Sequence, residues 1–226
     1  MLSFLTHPPP RTPRAHLHTY STEDSTSHTT FLPSSSSSSS ATSPSSKSLL
    51  RSTQRPGPSI HDPPYHWHKH QTEHFTIESG TFLAVLDGHE HTFHPGQVCT
   101  IPPGRYHTYR NGSPDKELTF RIDFDPQEKG RDEAFFRNVY AYVEDCRRAG
   151  VRPSIFQLCL WLYVFDCYLA LPGPGGLARG VSEWLVWVLG VVVGKRLLGM
   201  RESYPEYYAG DINRVLGGRD AGKKEL

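Results

Sequence analysis

Two short runs of residues restrict this chain more than any other feature. The first is His66-Trp67-His68, followed by Glu73 and then Gly80. The second is Gly96, Pro102, Gly104, His107 and Asn111. In an extended strand, residues i and i+2 share a face, so His66 and His68 project together. A carboxylate five residues further on returns to that face after a bend or bulge. Proline and glycine at 102 and 104 set a tight turn that sends the chain back, and His107 then meets the first three side chains. Three imidazoles and one carboxylate suit one divalent ion of borderline softness: iron, manganese, nickel, copper or zinc. Nine of the thirteen histidines fall between His61 and His107, so the cluster is local.

The surrounding texture is that of short strands. Expected strands are Ser48–Thr53, Tyr65–His70, Glu73–Glu78, Thr81–Leu86, Glu90–Phe93, Gln97–Ile101, His107–Arg110 and Glu117–Phe124. Turn pairs at Ser79-Gly80, Asp87-Gly88, Pro95-Gly96 and Pro102–Gly104 separate them at the spacing of an all-β barrel or sandwich. Asp87-Gly88 is the strongest hairpin signal, because both residues tolerate the positive φ of a type I′ turn. Alternation places Phe75 and Ile77 on the face of Glu73, and Tyr109 on that of His107, which predicts an apolar, partly aromatic pocket. Leu118, Phe120, Ile122 and Phe124 are the expected core side of the last strand, the opposite phase, with Arg121 or Asp123 facing in, being the alternative. Trp67 is expected to point away from the cluster and pack on the outside. His74 is expected outside, His70 solvated near the pocket mouth, and His89, His91 and His94 on surface turns.

The flanks differ. Residues 1–47, with seven consecutive serines from Ser34 to Ser40, read as a disordered leader, since few side chains there bury apolar surface. Met1–Thr6 is too short for a secretory core, and the prolines at 8–10 oppose an amphipathic presequence. The β region is expected over 48–127. Residues 128–208 read as helical, with helices at Asp132–Ala149, Ser154–Leu171 and Ser182–Met200, the last two opened by serine caps. Residues 209–226 form a polar tail. Ser154–Leu171 and Trp184–Gly194 are apolar nearly all round, and Asp166 inside the first must be paired, protonated or wet. Tryptophans, tyrosines and flanking Lys195 and Arg196 fit a membrane surface through 154–200; burial against the β region or in a homodimer interface is the alternative.

Charge removes one class of partner. The chain has 24 Lys+Arg against 23 Asp+Glu, which gives no basic footprint for nucleic acid. The four cysteines lack any paired spacing, so neither a zinc ribbon nor a disulfide framework is indicated, and an intracellular setting is favoured.

The two runs resemble the motifs of the cupin superfamily. His66, His68, Glu73 and Gly80 match its first motif; Gly96, Pro102, Gly104, His107 and Asn111 match its second. The fifteen residues between Gly80 and Gly96 equal the short spacing of compact cupins. One departure is Ile60, where a glycine often stands. The resemblance implies a mainly β fold, a double-stranded β-helix or jelly-roll barrel, followed here by C-terminal α-helices with an apolar hairpin. It also implies metal ligands His66, His68, Glu73 and His107. The HWHKHQTEH core, the Pro172–Gly176 turn and the ending Ser203–Tyr208 look like fungal cupin-domain oxidoreductases of secondary-metabolite pathways. That likeness implies a metal-dependent oxidoreductase for an aromatic or polyketide-derived small molecule. The alternatives are a non-redox isomerase, dehydratase or cyclase with the metal as Lewis acid, and a non-catalytic, membrane-associated ligand-binding protein.

Overall fold

The computed structural model describes residues 9–22, 26–32, 48–59 and 61–212. The serine run, Ile60 and residues 213–226 of the expected tail lie outside them. Two units result: Leu17–Gln127, and Met1–His16 together with Glu128–Leu226.

The first unit holds β1 (Thr19–Ser21), β2 (Ser27–Phe31), β3 (Leu50–Gln54), β4 (His66–His68), β5 (Thr72–Ser79), β6 (Phe82–Leu86), β7 (His89–Phe93), β8 (Val98–Ile101), β9 (His107–Asn111) and β10 (Leu118–Asp125). One antiparallel sheet runs β1-β2-β3-β10-β5-β8, and the other contains β4-β9-β6-β7 in that order. This is the jelly-roll arrangement the resemblance implies. Its turns follow the chemistry of their residues. Leu86 pairs with His89 across a two-residue turn, in which Asp87 and Gly88 take φ values of 45° and 84°. Gly80 has a φ of +81°, and a Cβ there would collide with the Glu117 carbonyl oxygen, so the motif needs glycine at this position.

Alternation fills the space between the sheets. Phe75 and Ile77 of β5, Phe82 of β6, Tyr109 of β9, and Leu118, Phe120 and Ile122 of β10 are all buried. Four of these rings pack on one another: Phe75 lies 4.8 Å from Phe82, 4.7 Å from Tyr109 and 5.8 Å from Phe120. The expected pocket lining of Phe75, Ile77 and Tyr109 is therefore solid core. Each such side chain contributes about 1.5–3 kcal/mol by leaving water, which favours closure over a cavity. Arg121, out of phase, faces outward and pairs with Glu78 at 2.9 Å.

The described part of the leader also departs from expectation. β2 pairs with β3 from Ser27↔Gln54 to Phe31↔Leu50, and Tyr20 meets Phe31 edge-on at 5.7 Å. Ser27, Thr29 and Phe31 are buried and His28 and Thr30 half-buried in alternation, and Tyr20 and Phe31 anchor the strands; the composition of 1–47 as a whole conceals this local pattern.

The second unit contains α1 (Lys129–Arg148), α2 (Ile155–Phe165), β11 (Cys167–Leu169), α3 (Gly175–Trp187) and a π-helix (Val188–Leu197) that continues it. The helix expected over Ser154–Leu171 stops six residues early, because Asp166 adopts the left-handed conformation at φ 67°, and a short strand follows. Asp166 itself is buried. Ser154 occupies its cap position without a side-chain cap bond. The helix expected to begin at Ser182 begins at Gly175; Ser182 lies inside it, with its hydroxyl donating to the Leu169 carbonyl at 2.6 Å. Residues 9–16 are strapped to this unit. Thr12 donates its amide and its hydroxyl to Asp145, each at 2.8 Å, and Arg14 and the Tyr207 hydroxyl reach the same carboxylate.

Candidate metal centre

Strand pairing explains why four residues distant in sequence meet. His66 of β4 and His107 of β9 are cross-strand partners, and their rings lie 4.1 Å apart. Two residues on, His68 returns to the same face, 5.1 Å from His66 and 5.5 Å from His107 between ring centroids. Glu73 arrives from β5, where it sits between Phe124 of β10 and Ile101 of β8. The Pro102–Gly104 turn is fixed to the first run, since the Gly104 amide donates to the His68 carbonyl at 2.7 Å. Asn111 organises the far end of β9, donating to the Gln54 and Lys116 carbonyls and accepting from the Ser113 amide.

All four side chains are buried, and one donor atom from each lies within 4.8 Å of every other. Donors on a common ion about 2.1 Å away stand at most about 4.2 Å apart, so a small inward adjustment closes the set. The two paired histidines are oriented in the same way. His66 Nδ1 contacts the Pro64 carbonyl at 2.8 Å, and His107 Nδ1 the Arg105 carbonyl at 2.9 Å. A carbonyl only accepts, so Nδ1 carries the proton in both rings and Nε2 presents a lone pair inward.

That assignment tests whether a cation belongs here. His107 Nε2 lies 3.0 Å from Glu73 Oε2, and His68 Nε2 lies 3.8 Å from the same oxygen. With Nδ1 already donating to Arg105, a neutral His107 has no second proton for Glu73. The contact calls for a proton shared between the two groups or a metal ion bridging them. Desolvation, then His107 and His68, hold the His66 pKa well below the ordinary histidine value. His66 is thus a neutral ligand-type imidazole near neutral pH. The donor set therefore fits a divalent transition metal.

The other histidines stay apart from this centre. His70, His89, His91 and His94 are exposed, and His74 points outward to the Thr100 hydroxyl at 3.1 Å. Trp67, expected on the outside, is buried, with its ring 6.5 Å from that of Tyr106. Sequence reasoning missed two neighbours. Phe124 places its ring 5.9 Å from His68. Cys99, opposite Phe75 on β8, is a buried thiol pushed up to about 12 by desolvation and then by Glu73. Its place on β8, directly across from β5, was the available signal. Pro64 and Arg105 act through backbone carbonyls, which no side-chain motif encodes.

The Cupin_2 model (Cupin domain) matches residues 55–122. The chain is similar to the probable oxidoreductase virH of Hypocrea virens, 33% identical over 65% of this chain and 68% of that protein. It is also similar to an oxidoreductase of Arthrobotrys oligospora, at 32% over 64% of this chain and 59% of that one. A third relative is the epoxidase atD of Aspergillus terreus, at 28% over 71% of this chain and 50% of that one. The match thus spans between half and about two thirds of these relatives. Among solved structures, a sugar phosphate isomerase from a cupin superfamily of Silicibacter pomeroyi is 20% identical, covering 44% of this chain and 59% of that one, with a TM-score of 0.34.

Proposed function

Because the chain belongs to the cupin superfamily, we propose that it is a metal-dependent oxidoreductase acting on a small molecule, with His66, His68, Glu73 and His107 holding one divalent transition metal ion. The observation that carries this reading is the convergence of four buried donor residues, two of them locked as inward Nε2 donors by backbone carbonyls. The oxidoreductase names of the fungal relatives support the reaction class. The substrate class we propose is aromatic or polyketide-derived, supported by the Phe124 ring beside His68.

When bound, a redox-active ion of this kind supplies a Lewis acid and an electron-transfer centre. The chain's own residues do the rest. Pro64 and Arg105 hold the protons of His66 and His107 at Nδ1, which fixes ring orientation. Glu73 contributes the one negative charge of the donor set, which offsets part of the charge of a divalent cation in a buried site. Its position opposite Phe124 and Ile101 surrounds the carboxylate with apolar groups that exclude water and strengthen that interaction.

The experiment is elemental analysis of purified protein combined with aerobic and anaerobic incubation with aromatic candidate substrates. Bound iron, copper or manganese with oxygen-dependent product supports the proposal. Zinc with an unchanged anaerobic product would move the assignment to Lewis-acid isomerisation, dehydration or cyclisation.

A further inference from the structure

The helix formed by α3 and the π-helix is packed the wrong way round for water. Its inward face is mostly small: Ala178, Ser182, Gly190 and Gly194 are buried there, with Val186 between them. They allow very close approach to α2; a Cβ on Gly190 would sit 2.5 Å from the Leu160 nitrogen. Four large apolar residues on the opposite face point outward. Leu177 is 68% exposed, Trp184 59%, Val181 41% and Trp187 38%. Over the apolar window of Gly175–Leu197 only 22% is buried. In water, a helix of this composition turns its large side chains inward; small-in, large-out packing belongs to lipid surroundings.

We infer that the helix Gly175–Leu197 lies along an anionic membrane surface, with its exposed apolar face of Leu177, Val181, Trp184 and Trp187 entering one leaflet and attaching the second unit there. The uncharged run between Glu183 and Lys195 is eleven residues long, at most roughly 16 Å at helical rise. That is about half of a hydrocarbon core about 30 Å thick. The neighbouring α2 is also eleven residues long, so neither apolar run is long enough to span. Trp184 and Trp187 occupy the exposed face, as residues with an apolar body and a polar N–H do at an interface. Arg196, exposed at the end of the run, stands where lipid phosphates would be, and Lys195 beside it pairs with Glu202 at 2.8 Å. An apolar stripe closed by basic residues is complementary to acidic headgroups. The inference does not depend on the metal centre.

Flotation of the full-length protein with vesicles of phosphatidylcholine plus phosphatidylserine tests it. The wild type is expected to float with these vesicles. A Leu177→Gln, Val181→Gln, Trp184→Gln variant, altered only at exposed positions, is expected to bind at least about tenfold more weakly. Its far-ultraviolet circular dichroism and metal content should be unchanged. Arg196→Glu should weaken binding to the mixed vesicles by about fivefold or more and leave binding to pure phosphatidylcholine unaltered. A wild type that stays out of the vesicle fraction, a triple variant that floats equally well, or a dimer that the triple variant dissolves without any vesicle binding overturns the inference.

Discussion

Replacing Asp145 by alanine should be among the most damaging single changes in the second unit. Its carboxylate is buried and accepts four hydrogen bonds: two from Thr12 at 2.8 Å, one from the Tyr207 hydroxyl at 2.8 Å and one from Arg14 at 3.2 Å. Tyr207 is itself buried, and desolvation followed by Asp145 raises its pKa far above the ordinary tyrosine value, so the hydroxyl stays a donor. Removing the carboxylate takes away a buried ion-pair partner of Arg14 and the acceptor of three further hydrogen bonds, for which about 3–5 kcal/mol is the expected loss. Separate hydrogen bonds of about 1 kcal/mol each fall within that total rather than adding to it. Asp145→Asn keeps one acceptor and should cost less, about 2 kcal/mol. Tyr207→Phe should cost about 1 kcal/mol. Urea unfolding followed by tryptophan fluorescence reports this directly, because Trp161 in α2 packs edge-on against Tyr142 at 5.3 Å and Tyr204 at 6.2 Å. Hydrogen exchange should also show residues 9–16 losing protection in the alanine variant. A loss below about 1 kcal/mol with the strap still protected would refute the view that Asp145 holds it.

Other consequences follow from backbone and burial. Gly80→Ala should destabilise the first unit by about 1–3 kcal/mol, since it combines a positive φ with a collision at the Glu117 carbonyl; an unchanged melting temperature would contradict this. Burial pushes the Cys146 and Cys159 thiols up to about 11, so at pH 8 only about one in a thousand is thiolate. Ellman's reagent should therefore leave both unmodified in the native protein and label them in guanidinium; rapid native labelling of either would count against the packing of α1 and α2. Gly190→Leu should separate α2 from the π-helix, with a loss of about 2 kcal/mol or more in thermal stability; a neutral effect would mean that the close approach is not needed.

What the sequence disclosed and what it hid have physical causes. The convergence of His66, His68, Glu73 and His107 was legible because period-2 alternation and glycine or proline turns act locally, and these residues at dictated spacings leave few alternative placements. Asp87-Gly88 was readable for the same reason, whereas the phase of β10 was open in the sequence, and packing decides it: Leu118, Phe120, Ile122 and Phe124 are buried. The aromatic residues were placed on the correct face, but alternation does not say whether rings line a cavity or close it. That is decided by the mutual fit of Phe75, Phe82, Tyr109 and Phe120. The leader's strands were obscured because a polar strand with two aromatic anchors resembles a solvated tail in composition. The break at Asp166 had no breaker residue to announce it: the chain leaves the helix through a left-handed aspartate. The early start of α3 at Gly175 was hidden by glycines that usually mark turns.

The central claim is that His66, His68, Glu73 and His107 together hold a metal. Metal content by inductively coupled plasma mass spectrometry, on wild type and on His66→Ala and His107→Ala variants that keep the β circular dichroism signal, tests it most directly. The account predicts close to one divalent transition metal ion per wild-type chain, because the four buried donor residues form a single cluster among the described residues. In each variant that content should fall at least about tenfold, since a ligand is lost from a buried set. Wild-type protein that binds no metal even after reconstitution, or variants that retain full stoichiometry, would contradict it.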